Sequence, residues 1–367
     1  MASRTKKDKE VVSSPVSMAD LARELGVSMT TISRALSDHH SIGPATKLKV
    51  QKLAKKLNYQ PNHLAAALRK GKSKLLGVIV PYIEGRFFPS VVHGIETVAR
   101  KAGYSVVMCQ SNEDAAQERH NIDTLLSAQV AGVLVSLART TNDFRHFDKV
   151  RRRGIPLVFF DRVMIGDEVN AVVLNDRTGA YQSTRHLLEQ GCRRIAHFAG
   201  PQHLNIYQAR RQGYLDALQS YNITPDEELI AYFDMSQEQG AEEMARLLAL
   251  PSPPDAVFAA GDSSVLGALQ YLKSQGLRVP EDVALAGFSN EAFTSITEPM
   301  LTSVDQRCEE MGQAAVRLFL ELVESKGTPF SQRQVVLQPE LFVRGSSLHA
   351  ASASAGSKKK DTVEQRS

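Results

Sequence analysis

"VSMADLARELGVSMTTISRAL", residues 16–36, sets two helical patterns on either side of one glycine and then lines up small hydroxyl side chains that end on an arginine. Ser17 and Asp20 have the S-x-x-D spacing of a capping box, and Met18, Leu21, Ala22 and Leu25 recur on one helical face until Gly26 stops it. Ser28 is placed to cap a second helix in which Ile32, Ala35 and Leu36 face inward. Met29, Thr30, Ser33 and Arg34 then face outward. A third helix starts near Pro44 after Gly43, with Leu48, Leu53, Ala54 and Leu57 inward and Lys47, Lys49, Lys52, Lys55 and Lys56 mostly outward. Three helices on one small core, with a tight glycine turn between the first two, form a helix-turn-helix.

In such a motif the start of the second helix enters the major groove. Short side chains there let the backbone approach the bases, and an arginine can fork onto guanine O6 and N7. Ser28, Met29, Thr30 and Arg34 are therefore candidate DNA contacts, and Thr31 and Ser33 are better placed for phosphate oxygens. A small helical bundle that binds protein is the alternative that spacing leaves open.

Downstream, "LNYQPNHLAAALRKGKS" (57–73) has Pro61 as a stop, Asn62 as a cap and Gly71 as an end, leaving His63 to Lys70 between them. A helix that short, below about 12 residues, is marginal in water, so it is expected to fold only when held. Leu68 would wedge between base steps while Arg69 and Lys70 meet phosphates, with Asn62, His63 and Ala65 on the same DNA-facing segment. A flexible linker whose leucine packs on the next domain is the alternative.

Charge divides the chain. Residues 1–74 carry 15 Lys and Arg against 5 Asp and Glu, whereas residues 75–344 carry 25 against 33, so a basic head precedes an acidic body. At 367 residues more than one domain is expected. No apolar run approaches the roughly 18 residues of a membrane span and no signal peptide opens the chain, which predicts a cytoplasmic protein with no membrane partner. Cys109, Cys192 and Cys308 are too scattered for a disulfide framework or metal site, so neither metal nor cofactor is expected. Residues 1–15 and 346–367 are polar, lack periodicity and read as disordered tails.

Together, "VSMADLARELGVSMTTISRAL", "LNYQPNHLAAALRKGKS" and the following "LLGVIVP" resemble the lactose repressor (LacI/GalR) family of bacterial transcription regulators, over about residues 16–345. The resemblance implies an all-α helix-turn-helix head on a two-lobed α/β core, similar to periplasmic sugar-binding proteins. It also implies a homodimer on double-stranded operator DNA, and a hinge helix in the minor groove. By position Met29, Thr30 and Arg34 fall where family members read bases, and Leu68 where the hinge leucine intercalates.

Short apolar strands alternate with helical stretches from Leu75 onward, among them "LLGVIVP", "AGVLVS", "IPLVFFD", "RIAHFAG", "DAVFAAG" and "VALAGFS". This pattern predicts parallel sheets covered by helices, with a ligand outside the carboxyl ends of the strands. The expected layout is a helix-turn-helix domain at 16–60, a hinge at 61–74 and a core at 75–345. Within the core the first lobe spans about 75–172 and 302–331, and the second about 173–300 and 333–345, with crossings near 172–176, 298–302 and 331–335.

Strand ends supply candidate ligand contacts: Asp161 and Arg162 in "VFFDR", Asp262 in "AAGD", and Phe288, Ser289 and Asn290 in "GFSN". Arg210 is similar by position to the arginine with which the family anchors its effector, and a guanidinium suits vicinal hydroxyls or a carboxylate. Asp305 and Gln306 match a cleft-rim position, and Phe87 and Phe88 could stack on a ring. The alternatives are a helix cap for Asp262, a surface ion pair for Arg210 and core packing for the two phenylalanines. Gly261 and Ser289 depart from the Asn and Asp that sugar-binding relatives place there, which leaves the effector's identity open.

No G-x-S-x-G, P-loop, H-E-x-x-H or G-x-G-x-x-G signature is present, so an enzyme is not expected. The expected function is a DNA-binding regulator, a repressor, whose operator affinity follows a small-molecule effector, a sugar or sugar derivative, bound between the lobes. A purine-like or phosphorylated corepressor and a cytoplasmic solute-binding protein are the alternatives.

Overall fold

A computed structural model describes residues 16–59, 73–164, 169–325 and 332–348. They fall in two compact units divided between Ser73 and Lys74. Among the described residues no helix is long and apolar enough to cross a membrane.

In the first unit, helix α1 (Met18–Leu25) opens on a complete capping box: Asp20 N–H donates to Ser17 Oγ, and Ser17 N–H donates to Asp20 Oδ2 at 2.9 Å. Gly26, at φ +62°, ends it in the left-handed region that glycine adopts without penalty. Helix α2 (Met29–Leu36) starts at Ser28, whose Oγ accepts from Thr31 N–H at 3.1 Å. Helix α3 (Pro44–Lys56) closes the bundle. Leu21, Ile32, Ala35 and Val50 are fully buried at its centre. The expectation for Leu48 is corrected, because it is 53% exposed while Val50 takes the core position. At 100° per residue Leu48 lies on the opposite side of α3 from Val50, whose inward row continues through Leu53, Ala54 and Leu57.

The second unit contains two sheets. Strands β1 (Leu75–Val80), β2 (Ser105–Gln110), β3 (Gly132–Val135), β4 (Leu157–Phe160), β5 (Ala171–Leu174) and β11 (Gln334–Leu337) form the first lobe's parallel sheet, ordered β11-β5-β4-β3-β1-β2. The second lobe has β6 (Ile195–Phe198), β7 (Ile230–Ala231), β8 (Ala256–Ala259), β9 (Ala284–Phe288), β10 (Thr302–Asp305) and an antiparallel β12 (Glu340–Phe342), ordered β12-β10-β9-β8-β6-β7. The two lobes repeat one winding order, and both reverse direction beside their first strand.

The chain crosses between lobes at Asn175, at Gln306–Arg307 and at Gln338–Pro339. The second and third crossings lie later than expected. Residues 302–305 pair with β9 through Thr302↔Ala286 and so belong to the second lobe, while 334–337 pair with β5 through Gln334↔Ala171 and belong to the first. Backbone pairing, which apolar patterning does not reveal, sets these boundaries.

After the second crossing, helix α11 (Cys308–Glu324) packs on α4 (Phe87–Lys101) of the first lobe. The contact is made backbone to backbone: a Cβ at Gly94 would lie 2.2 Å from Glu309 O, and one at Gly312 would lie 2.0 Å from Val91 O. Only glycine fits at either place, so the second crossing is tied firmly to the first lobe.

Candidate functional site

Between the lobes lies a cavity of about 400 Å³. Its walls come from the segments that follow the carboxyl ends of the strands: Tyr82 after β1, Glu113 after β2, Arg139 after β3, Asp161 and Arg162 after β4, Met235 after β7, Gly261 and Asp262 after β8, Ser289 after β9, and Gln306 after β10. Helix α8 (Asn205–Ser220), which follows β6, adds Ile206, Tyr207 and Arg210. The cavity thus joins the switch points of two open, mostly parallel sheets, where such sheets leave a crevice for ligands.

Every arginine on the wall is committed to a carboxylate. Arg162 Nη1 donates to Glu113 at 2.8 and 2.9 Å, and Arg139 Nη1 lies 3.1 Å from Asp234 across the cleft. Arg210 Nε donates to Asp176 Oδ1 at 2.8 Å. Its Nη1 reaches Ala260 O at 2.7 Å, and its Nη2 reaches Gln306 Oε1 at 3.0 Å. The guanidinium lies 3.8 Å over the Phe288 ring, which fixes its plane. Asp176 is the first residue of helix α7 (Asp176–Glu189), directly after the first crossing.

Burial governs the acids. It pushes Asp161 up to about 6, against the pull of Arg162 and Arg210. It also pushes Asp262 up to about 6, against the Glu291 N–H and the Ser303 hydroxyl that both donate to it. Burial raises Asp176 as well, opposed by Arg210. Among the described residues Arg162 Nε is buried without a hydrogen-bond partner, 4.0 Å from Asp161 Oδ2.

Of the expected ligand contacts, Phe87, Phe88, Asp161, Arg162, Arg210, Asp262 and Ser289 line the cavity. Phe87 and Phe88 also belong to the core at 6% and 1% exposure, so each serves both purposes. Asp262 does not cap its helix; its carboxylate holds Ser303 of β10 and the loop after β9. Phe288, Asn290 and Asp305 are not among the residues that line the cavity. Phe288 lies under Arg210. Asn290 donates to Asp305 at 2.9 Å and accepts from Arg344 at 2.7 Å, so its amide is spent in the second lobe. Asp305 also accepts from Arg307 N–H.

Tyr82, Glu113, Arg139, Tyr207, Asp234 and Met235 line the cavity and were not anticipated. The signal for Glu113, Asp234 and Met235 was present, because each stands within four residues of a strand's carboxyl end. Glu113 and Met235 also adopt positive φ, +61° and +67°, as does Asp161 at +59°.

In the first unit, Met29, Thr30 and Arg34 project from α2 into solvent, with Met29 54% exposed. The hydroxyls of Ser28 and Thr31 lie 2.9 Å apart, so each already has a partner, and Ser33 is half-buried. Lys47, expected to face outward, donates to Asp38 at 2.7 Å. Asn62, His63, Ala65, Leu68, Arg69 and Lys70 lie outside the described residues.

The model "Bacterial regulatory proteins, lacI family" matches residues 17–62, and "Periplasmic binding protein-like domain" matches residues 184–347. The chain is 34% identical to the HTH-type transcriptional repressor CytR of Escherichia coli (strain K12) over 329 residues, 90% of this chain and 95% of that one. Among solved structures, the lac repressor dimer bound to operator and the anti-inducer ONPF has a TM-score of 0.81 at 26% identity, covering 92% of this chain and 100% of that one. A transcriptional regulator CelR–cellobiose complex has a TM-score of 0.69 at 30% identity, covering 90% and 99%.

Proposed function

The chain belongs to the lacI family of bacterial regulatory proteins, as a DNA-binding transcriptional repressor, and we propose that its operator affinity is set by a neutral, hydroxyl-bearing ring compound held between the lobes. The observation that carries this reading is the pairing of Arg139, Arg162 and Arg210 with Asp234, Glu113 and Asp176. A phosphate or carboxylate needs an uncommitted cation, and among the described residues the wall offers none. A sugar ring needs an apolar face and hydrogen-bonding edges. Phe87, Phe88 and Tyr207 supply the face, and Arg162 Nε is a buried donor in want of an acceptor. The cellobiose in the CelR complex supports a sugar or sugar derivative as the class. A purine-like ring would use the same aromatic walls; a phosphorylated corepressor would have to break an ion pair.

The protein acts in the cytoplasm as a homodimer, because one recognition helix reading a few bases cannot compete with nonspecific sites and two on a palindrome can. Met29, Thr30 and Arg34 read base edges while Ser28, Thr31 and Ser33 settle the helix on phosphates, with Asn62, His63, Ala65, Leu68, Arg69 and Lys70 as further DNA contacts. Its role is binding without turnover. The test is a thermal-shift panel of glucose, cellobiose, ribose, adenosine and glucose 6-phosphate, since a ligand that binds only the folded form raises the melting point. A neutral compound should stabilise the core and glucose 6-phosphate should not. A larger shift from glucose 6-phosphate than from glucose would overturn the reading.

A further inference from the structure

Arg210 is held by both of the chain's first two crossings. Asp176, one residue past the Asn175 crossing, takes its Nε, and Gln306, at the second crossing, takes its Nη2. Gln306 is only 3% exposed, and its Nε2 donates to Ser289 Oγ at 2.8 Å. It precedes Arg307, which caps α11 in the left-handed region at φ +55°. Helix α11 in turn meets α4 of the first lobe backbone to backbone at Gly94 and Gly312.

A guanidinium has five donors. Here Nε serves Asp176, one Nη1 hydrogen serves Ala260 O, and the two Nη2 hydrogens face Asp176, 2.7 Å away, and Gln306. One Nη1 hydrogen is left. A ligand with two neighbouring hydroxyls asks for two donors, so one present acceptor must leave. Ala260 O is backbone of the β8 end and Asp176 is a buried ion pair, both costly to displace. Gln306 Oε1 is a neutral side-chain acceptor and the cheapest to release.

Building on the reading of Arg210 as the effector's anchor, we infer that Gln306 is the positioning residue through which cleft occupancy reaches the first lobe: the ligand takes the place of its carboxamide on Arg210. The released Gln306 removes the tie between the second crossing and Arg210, while Arg307 keeps its bonds to Asp305 and Glu340, and α11 carries the change to α4. Gln306 is thus both a competitor for the ligand and the sensor of it.

The test compares full-length wild type, Gln306→Ala, Gln306→Glu and Arg210→Ala. With no small molecule added, hydrogen exchange at residues 307–312 and 82–88 should be at least about threefold faster in Gln306→Ala, with the β6 and β8 strands unchanged. Unchanged exchange at 307–312 would overturn the inference. Calorimetry with cellobiose and with adenosine supplies the second arm. Gln306→Ala should bind the probe as tightly as wild type or several-fold tighter, and Gln306→Glu, which adds a second carboxylate to Arg210, about tenfold weaker. Loss of affinity in both variants would mark Gln306 as merely structural and would also overturn it. Undiminished binding in Arg210→Ala would instead refute Arg210 as the anchor, and binding of neither probe by wild type would refute the proposed effector class; in both cases the exchange result still decides whether Gln306 ties the second crossing to Arg210.

Discussion

Arg139 of the first lobe and Asp234 of the second meet across the mouth of the cleft at 3.1 Å, both of them lining the cavity. His203 Nε2, also of the second lobe, lies 2.5 Å from Arg139 O, and on the other rim Arg86 N–H donates to Glu291 at 2.8 Å. The lobes are therefore latched at two edges. The Arg139–Asp234 pair is partly exposed, so its worth is that of a surface ion pair, about 0.2–1 kcal/mol. Asp234→Asn should leave the melting point within about 2 °C of wild type and speed hydrogen exchange on both cleft walls, and 0.5 M NaCl should mimic it. A drop of many degrees would show that the pair holds the fold together and not merely the closure.

The acids of the cleft carry a pH signature. Asp161 has its pKa raised to about 6 in the folded core, above the roughly 4 of an unfolded aspartate. The folded state therefore binds the proton more tightly between those values, and the stability it contributes is present below pH 4 and lost as pH rises through 6. Asp161→Asn keeps the neutral form at every pH. Its stability should gain on wild type from pH 5 to pH 7.5 by on the order of 1–3 kcal/mol, read from melting curves, and a gap independent of pH would contradict the shift.

Arg34 is exposed on α2, on the face proposed to read bases. Arg34→Ala should weaken operator binding by about 1–3 kcal/mol and relax the preference at one base position. A selection from random duplexes measures both. Equal weakening on all sequences would make Arg34 a phosphate contact.

Ser28 holds the same helix in place by capping it. Ser28→Ala should cost the helix-turn-helix unit about 0.5–2 kcal/mol, read from the unfolding transition that hydrogen exchange reports at residues 18–36 in the full chain. An unchanged transition would show that Thr31 N–H finds another acceptor.

Glu118 is fully buried and accepts from Ala138 N–H, Thr141 Oγ1 and His146 Nε2 at 2.8–2.9 Å. It ties α5 (Ala115–Ser127) to the segment that carries Arg139. Glu118→Ala leaves three buried donors unmet and should cost about 3–5 kcal/mol in urea unfolding. Glu118→Gln should cost less, because its amide oxygen still accepts.

The helix-turn-helix and the two parallel sheets were legible in the sequence because they rest on local chemistry. A capping box needs only residues three apart, a helix face only residues three and four apart, and a buried parallel strand only its run of apolar side chains. Leu48 was misplaced within that frame because α3 holds apolar residues on more than one side, and packing against α1 and α2 chose the row through Val50. Strand ends likewise marked the cleft. The family position brought Arg210 to the cleft in advance, without its partners.

Those partners were decided by tertiary structure alone. Asp176 and Gln306 stand 34 and 96 positions from Arg210, and Asp234 stands 95 from Arg139. Nothing in the spacing of charges along a chain says which distant carboxylate will neutralise which arginine. Sheet order and the crossings between lobes set those distances, and burial then made the Arg210–Asp176 pairing obligatory, since an arginine taken out of water must bring its counter-charge with it.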